Sequence, residues 1–387
     1  MKIKNIEKAA ERIVKAVEQG EQIIIYGDSD LDGISSMIIL KEAIDNISSI
    51  PKNVLAFSPV RSEGHGLNFE SLNFIKSKAK SGLIITLDCG ITNFDEIKDA
   101  KNSGFSVVII DHHKPLDRIP EDAEIIVDPK QEGDDTEFKE YANVGITFKL
   151  AKEILKDKMS PMLEKSFLEL VALGTISDMM IEEDENKEWI DKGLEGIQMS
   201  QRPAIRSIFS ILNPMNFSSK RDMISKVNSA LNSSSIDGHI HKTYLFLLEN
   251  DFDKAEKIAE ELMVESDRKQ REVAALTNDL IEKVEKQNKS LIFDGSYFWK
   301  AEYLGAVASR LSNYFNKPVF LYKKGEKISR GTVRMPKGGD AVKAMENCKN
   351  LLMMFGGHAP AAGFTINNEN INKFEECLQN YFDSLDG

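Results

Sequence analysis

Cysteine is scarce. Cys89, Cys348 and Cys377 are the only three in 387 residues, and none has C-x-x-C spacing. An odd number so placed speaks against a disulfide framework and against a zinc site. No apolar run approaches the ~18–20 residues that a membrane-spanning helix needs, so no membrane partner is expected. The amino-terminal stretch MKIKNIEKAAERIVKAVEQG is an amphipathic helical pattern interrupted by acids. It lacks the apolar core and small-residue cleavage site of a secretory signal, and a cytoplasmic location is expected. Internal repeats and low-complexity segments are missing too. Positive charge is in short supply, with 50 Lys and Arg against 62 Asp and Glu and a formal net charge of −12. Broad, non-specific binding to duplex nucleic acid rests on basic surface and is disfavoured. A centre that gathers carboxylates around cations is not, because the bound ions reverse the local sign.

What is present is ordinary for a globular protein: 41% hydrophobic and 29% charged residues, enough for a sizeable core, and a length that suggests about two domains. Short apolar runs recur at residues 22–26 (QIIIY), 53–57 (NVLAF), 83–87 (LIITL), 106–110 (SVVII) and 125–127 (IIV). Helical stretches separate most of them. Continuous apolar strands alternating with helices predict an α/β domain with a parallel sheet covered on both faces, and such sheets bind ligands at the carboxyl ends of their strands. Residues 251–289, rich in Ala, Glu, Lys and Leu and free of Gly and Pro, predict one or two long helices. A second α/β unit begins near residues 290–294 (SLIFD). The expected division is 1–190, a helical connector 191–289, and a smaller domain 290–387.

Acids and histidines gather where strands are expected to end. Asp28, Asp30 and Asp32 follow the first run, Asp88 the third, and Asp111, His112 and His113 the fourth; Asp178 ends a further apolar segment at 170–176, read as another strand end. In a doubly wound sheet these segments converge on one rim. Five or more carboxylates and two imidazoles brought together repel each other without cations. Oxygen-rich ligands with one or two histidines suit Mn²⁺ or Mg²⁺ better than zinc. Two such ions roughly 3.5–4 Å apart can activate a water and clamp phosphate oxygens for in-line attack. A lone strand-end Asp is commonly a cap or turn residue. A calcium loop starting at Asp28 would need Glu at its twelfth position, where Ile39 stands. Asp128, before Pro129, reads as a turn acid, and His239 and His241 as an uninvolved surface pair.

The segments from Tyr26 to Ser36 (YGDSDLDGISS), Arg61 to Leu67 (RSEGHGL), Asp88 to Thr92 (DCGIT), Asp111 to His113 (DHH), Asn143 to Ala151 and Gly174 to Asp178 (GTISD) together resemble the DHH phosphoesterase superfamily, and within it the RecJ-like branch. Residues 305–311 (GAVASRL), 331–334 (GTVR) and 356–363 (GGHAPAAG) are similar to motifs of the DHH-associated domain. The resemblance spans nearly the whole chain. It implies that Asp28, Asp30, Asp32, Asp88, His112 and Asp178 hold two Mn²⁺ or Mg²⁺ ions, that His113 sits by the scissile phosphate, and that Asp111 orients the histidines. It also implies substrate contacts at Arg61, Asn228, Arg334, Gly356, Gly357 and His358. Lys226-Val227-Asn228-Ser229-Ala230 stands where the family shows Arg-Ile-Asn-Ala-Ala-Gly-Arg, so both arginines are missing and a lysine offers a point charge without the planar fork.

The activity implied is exonucleolytic hydrolysis of single-stranded DNA or RNA, with cleavage polarity left open. The alternatives are a phosphodiesterase acting on oligoribonucleotides or cyclic dinucleotides, and a replisome-associated scaffold of weak or no activity. The length resembles the short archaeal-type form, for which replication partners such as GINS are implied.

Overall fold

Five apolar runs form one parallel sheet: β1 (Ile23–Gly27), β2 (Val54–Phe57), β3 (Gly82–Leu87), β4 (Phe105–Ile110) and β5 (Ile125–Val127), in the order β2-β1-β3-β4-β5. The computed structural model describes residues 2–47, 53–60, 66–212, 216–232, 236–286 and 289–384. They divide into two units, Met1–Ser266 and Asp267–Gly387. Because successive strand residues point to opposite faces, Ile23, Ile25, Leu83, Ile85, Val108 and Ile110 enter one core. Ile24, Tyr26, Ile84, Val107 and Ile109 enter another.

The first core is closed by α1 (Ile6–Glu18) and α2 (Leu31–Ile47), the second by α3 (Phe69–Lys78) and α4 (Phe94–Asn102). Helix α1 buries Ile6, Ala9, Ala10, Ile13, Ala16 and Val17, the three-to-four spacing of a one-sided helix. Helix α2 is buried almost all round over Leu31–Leu40, as a helix between a sheet and further helices must be. Those further helices are α5 (Asn143–Leu155) and α6 (Pro161–Ser177), with α7 (Asp184–Leu194) packed on α6. The region beyond holds α8 (Pro203–Ile211), α9 (Lys220–Leu231), a hairpin of β6 (Ile236–Asp237) and β7 (Ile240–His241), and α10 (Lys242–Leu247). Ile224, Val227, Ala230, Phe246 and Leu247 join the first core. The long helix expected after residue 251 is a single α11 (Phe252–Val284), and the division between the units falls inside it.

Three expectations are corrected here. Residues 170–176 are not a strand: they belong to α6, and Asp178 is its C-cap residue. An apolar run of that length is compatible with either element until its neighbours are known. His239 and His241 are not a surface pair, being 8% and 1% exposed. The hairpin docks on the end of β2, where Ser58 N–H donates to the His239 carbonyl (2.9 Å) and the His239 ring stacks on Phe74 at 4.1 Å. His241 Nδ1 accepts from Thr243 N–H as the cap of α10. The cysteines are not all unpaired either: Cys348 and Cys377 form a disulfide, leaving Cys89 free and buried. The pairing joins residues 29 positions apart, which spacing alone does not reveal.

The second unit contains β8 (Ile292–Ser296), α12 (Ala301–Phe315), β9 (Val319–Lys323), β10 (Ile328–Arg334), α13 (Ala341–Asn347), β11 (Met354–His358), β12 (Ala361–Asn367) and α14 (Ile371–Asp383). Its sheet runs β11-β12-β10-β9-β8. The β8–β9 pair, joined by α12, is parallel and the other pairs are antiparallel. Phe320, Phe364, Phe374 and Phe382 fill one face beneath α13 and α14. Leu304, Val307 and Leu311 of α12 cover the other, with Val273 and Leu280 of α11.

Candidate metal centre

The register of the first sheet aligns its strand ends. Gly27 pairs with Leu87, Leu87 with Ile110, and Ile110 with Val127. The residue after each is an aspartate, so Asp28, Asp88, Asp111 and Asp128 stand in one row along the carboxyl rim. Backbone hydrogen bonds lock the row: Asp28 N–H donates to the Leu87 carbonyl (3.2 Å), Asp88 N–H to that of Ile110 (3.0 Å) and Asp111 N–H to that of Val127 (3.0 Å). The strand order reverses between β1 and β3, the position where open parallel sheets bind ligands. Gly33 allows α2 to start directly above this point, since a Cβ there would lie 2.5 Å from the Asp28 carbonyl oxygen.

Asp28, Asp30 and Asp88 each have one oxygen within 4.8 Å of the others; one carboxylate oxygen or ring nitrogen from each of Asp32, His112 and Asp178 is grouped in the same way, as is one from each of Asp88, His112 and His113. All six residues expected as metal ligands thus fall in overlapping clusters. Asp88 is 3% exposed, and its Oδ1 has no hydrogen-bond donor. It also has φ +62°, a conformation that Asp and Asn tolerate better than other non-glycine residues. Asp32 on α2 accepts from Asn143 N–H and Val144 N–H, both at 2.7 Å, so the amino terminus of α5 anchors its two oxygens. With its amide turned to satisfy its neighbours, Asn143 donates to the Ile110 carbonyl (2.9 Å) and accepts from Asp88 N–H (2.9 Å).

The two histidines have different tasks. His112 Nδ1 lies 2.8 Å from the Tyr141 carbonyl. A carbonyl only accepts, so Nδ1 carries the proton and the Nε2 lone pair points away. Burial, then the neighbouring His113, holds His112 down to about 4, so it is neutral near pH 7. Its Nε2 lies 3.1 Å from Asp88 Oδ1 and 3.7 Å from Asp178 Oδ2. A lone pair set against ionised carboxylates at this range calls for a cation between them; without one, a proton has to take its place. The orienting contact of the His112 ring is therefore Tyr141, while Asp111 holds the backbone N–H groups of both histidines and the His113 ring: Asp111 Oδ1 is 2.8 Å from His113 Nδ1, and Oδ2 accepts from Ile91 N–H. Burial opposes the His113 charge, but the hydrogen bond and charge of Asp111 hold it up to about 9. His113 is thus an imidazolium at neutral pH.

Burial and then mutual repulsion push three of the clustered acids upward. Asp32 and Asp88 lie well above the ordinary carboxylate range, and Asp178 is pushed up to about 7. Two like charges 4 Å apart repel by about 4 kcal/mol even at an effective dielectric near 20, a large share of the roughly 5–15 kcal/mol that holds a typical domain folded. The donor set therefore suits divalent cations with oxygen-rich coordination.

A pH trend follows. In EDTA, stability is expected to fall as pH rises from about 4 to about 7. Across that window the folded protein keeps protons on Asp178, Asp32 and Asp88 that the unfolded chain has released, and stability drops with pH wherever the folded state binds more protons. His112 works the other way below its ordinary 6.5, as one group against three. Mn²⁺ should reverse the trend by favouring the ionised acids. Melting temperatures at mildly acidic and neutral pH, with and without Mn²⁺, check this; an EDTA-treated protein that melts higher at neutral pH would contradict it.

Asn228 on α9 is buried and donates from Nδ2 to the Leu173 carbonyl (3.2 Å). Arg61 lies outside the described residues. Arg334, in the second unit, donates to Thr332 Oγ1, the Val333 carbonyl and Ser309 Oγ. Among the described residues no carboxylate pairs with it, and burial lowers its pKa. It is level with Ala361 and, one strand on, with the backbone of His358. A Cβ on Gly356 would meet nothing within 4 Å, whereas Gly357 has φ +137°. Asp128 is the turn acid expected, its Oδ1 accepting from Lys130 N–H (2.7 Å) and its carbonyl from Gln131 N–H; it is also fully buried, pushed up to about 7 by burial, and its Oδ2 has no donor. The rule that singled out the other strand-end acids would have found it, because it directly follows the run at 125–127.

Residues 22–175 match the DHH family, N-terminal domain, and residues 288–384 match the DHHA1 domain. The chain is 32% identical over 392 residues to the single-stranded-DNA-specific exonuclease RecJ of Bacillus subtilis (strain 168), covering 99% of this chain and 48% of that protein. It is 27% identical to the enzyme of the same name from Thermus thermophilus, covering 98% and 54%. The chain thus spans about half the length of these curated relatives. A crystal structure of exonuclease RecJ bound to manganese superposes with a TM-score of 0.83 at 26% identity, over 99% of this chain and 95% of that one. RecJ from Thermus thermophilus in complex with Mn²⁺ gives 0.84 at 25%, over 99% and 55%.

Proposed function

Because this chain belongs to the DHH family, we propose that it is a divalent-metal-dependent phosphodiesterase that removes nucleotides from single-stranded DNA. The observation that carries this is the His112 Nε2 lone pair, aimed at Asp88 and Asp178 beside the aspartate row. Support comes from the likeness to RecJ proteins of single-stranded-DNA specificity and to RecJ structures holding Mn²⁺.

Asp28, Asp30, Asp32, Asp88, His112 and Asp178 would hold two Mn²⁺ or Mg²⁺ ions. When bound, such ions supply Lewis acidity and charge neutralisation for in-line attack of water on phosphorus. The chain's own residues do the rest. Two backbone N–H groups hold both oxygens of Asp32, and the main chain of Asp88 is bonded to Ile110, so little reorganisation of these segments is needed at the moment of reaction. Asp111 keeps His113 charged and pointed, and the half-exposed ring can donate a proton to a phosphate or leaving-group oxygen. Arg334 would receive a backbone phosphate, and the open Gly356 would let a strand approach the backbone closely.

The small-substrate phosphodiesterase reading ranks lower because the relatives with full-chain similarity act on single-stranded DNA. The scaffold reading, with docking on replication proteins such as GINS, ranks lower because it assigns no purpose to the buried acids. Incubation of a single-stranded 50-mer and a dinucleotide side by side with Mn²⁺ tests the choice. The 50-mer is expected to disappear; loss of the dinucleotide alone would reject this substrate. The same 50-mer carrying a 5′-phosphate, a 5′-hydroxyl or a blocked 3′ end assigns polarity, which the lysine at position 226 leaves open.

A further inference from the structure

The ring of His112 is oriented by a carbonyl that belongs to a loop, and a loop carbonyl needs an anchor of its own. Tyr141 precedes α5, and its backbone oxygen receives His112 Nδ1–H at 2.8 Å. Asp178 stands across from it, at the end of α6. Past Asp178 the chain turns through Met179, at φ +58°, and reaches α7. The side chain that ties these two segments together is Asn186. It is fully buried in the first two turns of α7. Its Nδ2 donates to the Glu140 carbonyl at 2.7 Å and to the Ile181 carbonyl at 3.0 Å. One amide thus grips the peptide next to the His112 acceptor and the segment that follows Asp178.

The neighbouring residue reinforces the grip. Glu185 accepts from the Tyr141 hydroxyl and is itself held by Lys149 Nζ at 2.6 Å. The Tyr141 ring stacks on Trp189 of α7 at 5.7 Å. Close packing of α5 on α7 requires Gly145, where a Cβ would lie 2.8 Å from the Trp189 ring. Two carbonyls face the Asn186 nitrogen, so the orientation of the amide is unambiguous.

We infer that Asn186 is a positioning residue for the metal centre, setting the gap between His112 and Asp178 through its two carbonyl contacts. The inference rests on the metal reading above. Partners that orient metal ligands typically change affinity 10–100-fold when lost. Asn186→Asp keeps the shape, removes both donors and sets an acceptor against two carbonyls. Mn²⁺ titration followed by electron paramagnetic resonance should show its affinity falling by about 10–100-fold. Tyr141→Phe removes only the hydroxyl, keeps the ring stack, and should weaken Mn²⁺ binding by less.

A merely structural role would lower the melting temperature and leave the Mn²⁺ affinity of the folded protein unchanged. If Asn186→Asp folds and binds Mn²⁺ as wild type does, the inference is overturned while the metal reading stands. If Asn186→Asp fails to fold, Tyr141→Phe decides: weaker binding supports the inference and unchanged binding overturns it. Wild-type protein that binds no Mn²⁺ would overturn both.

Discussion

Asn in place of Asp88 is expected to lower Mn²⁺-dependent cleavage of a single strand by roughly 10²–10³-fold or more, the loss seen when one preorganised electrostatic group is taken from a reaction centre. Asp88 joins two of the three overlapping ligand clusters, and its undonated Oδ1 faces the lone pair of His112. Asparagine keeps the volume and tolerates φ +62°, so the fold has little reason to suffer. In EDTA the variant should melt at a higher temperature than wild type, because one of several mutually repelling acids is gone. Lost activity together with gained metal-free stability is the signature of a residue kept for chemistry. His112→Ala should lose activity comparably. Normal cleavage by both folded variants would remove the metal centre from the mechanism.

Arg334→Ala is expected to raise KM for a single-stranded substrate about tenfold or more with a smaller change in kcat. A hydrogen bond to a charged group contributes about 1.5–3 kcal/mol, and about 1.4 kcal/mol is a factor of ten. A contact made equally in the ground and transition states appears in KM rather than kcat. The guanidinium is partly desolvated, has no carboxylate partner among the described residues, and is steered by Thr332, Ser309 and the Val333 carbonyl. Arg334→Lys should fall between, because lysine keeps the charge but loses the planar fork. Steady-state kinetics on an end-labelled oligonucleotide decides; an unchanged KM in Arg334→Ala would free this side chain from substrate binding.

Much of the first unit was legible in the amino-acid order. Each apolar run coincides with a strand to within a residue or so, because a strand buried on both faces has no polar position to disguise it. The acids that follow β1, β3 and β4 stood out because carboxylates after a buried run are costly unless used. Asp178 was singled out as well, although the segment before it proved to be α6. The strand β8 stands where a new α/β pattern was expected near residue 290, although the second unit itself begins inside α11, and α11 was visible from its lack of Gly and Pro.

Local order could not show what depends on partners far along the chain. The row of Asp28, Asp88, Asp111 and Asp128 exists because inter-strand register makes Gly27, Leu87, Ile110 and Val127 level. Nothing in the tripeptide around Asp128 tells an exposed turn acid from a buried one. The tautomer of His112 is set by the carbonyl of Tyr141, 29 residues away, and the burial of His239 by a hairpin docked on Ser58, 181 residues away. Residue types and their alternation decided which elements form and what chemistry they can carry, since backbone propensity and burial act locally. Tertiary packing decided which lone pairs face one another and which acids lose water, because desolvation and hydrogen-bond direction exist only once distant segments meet.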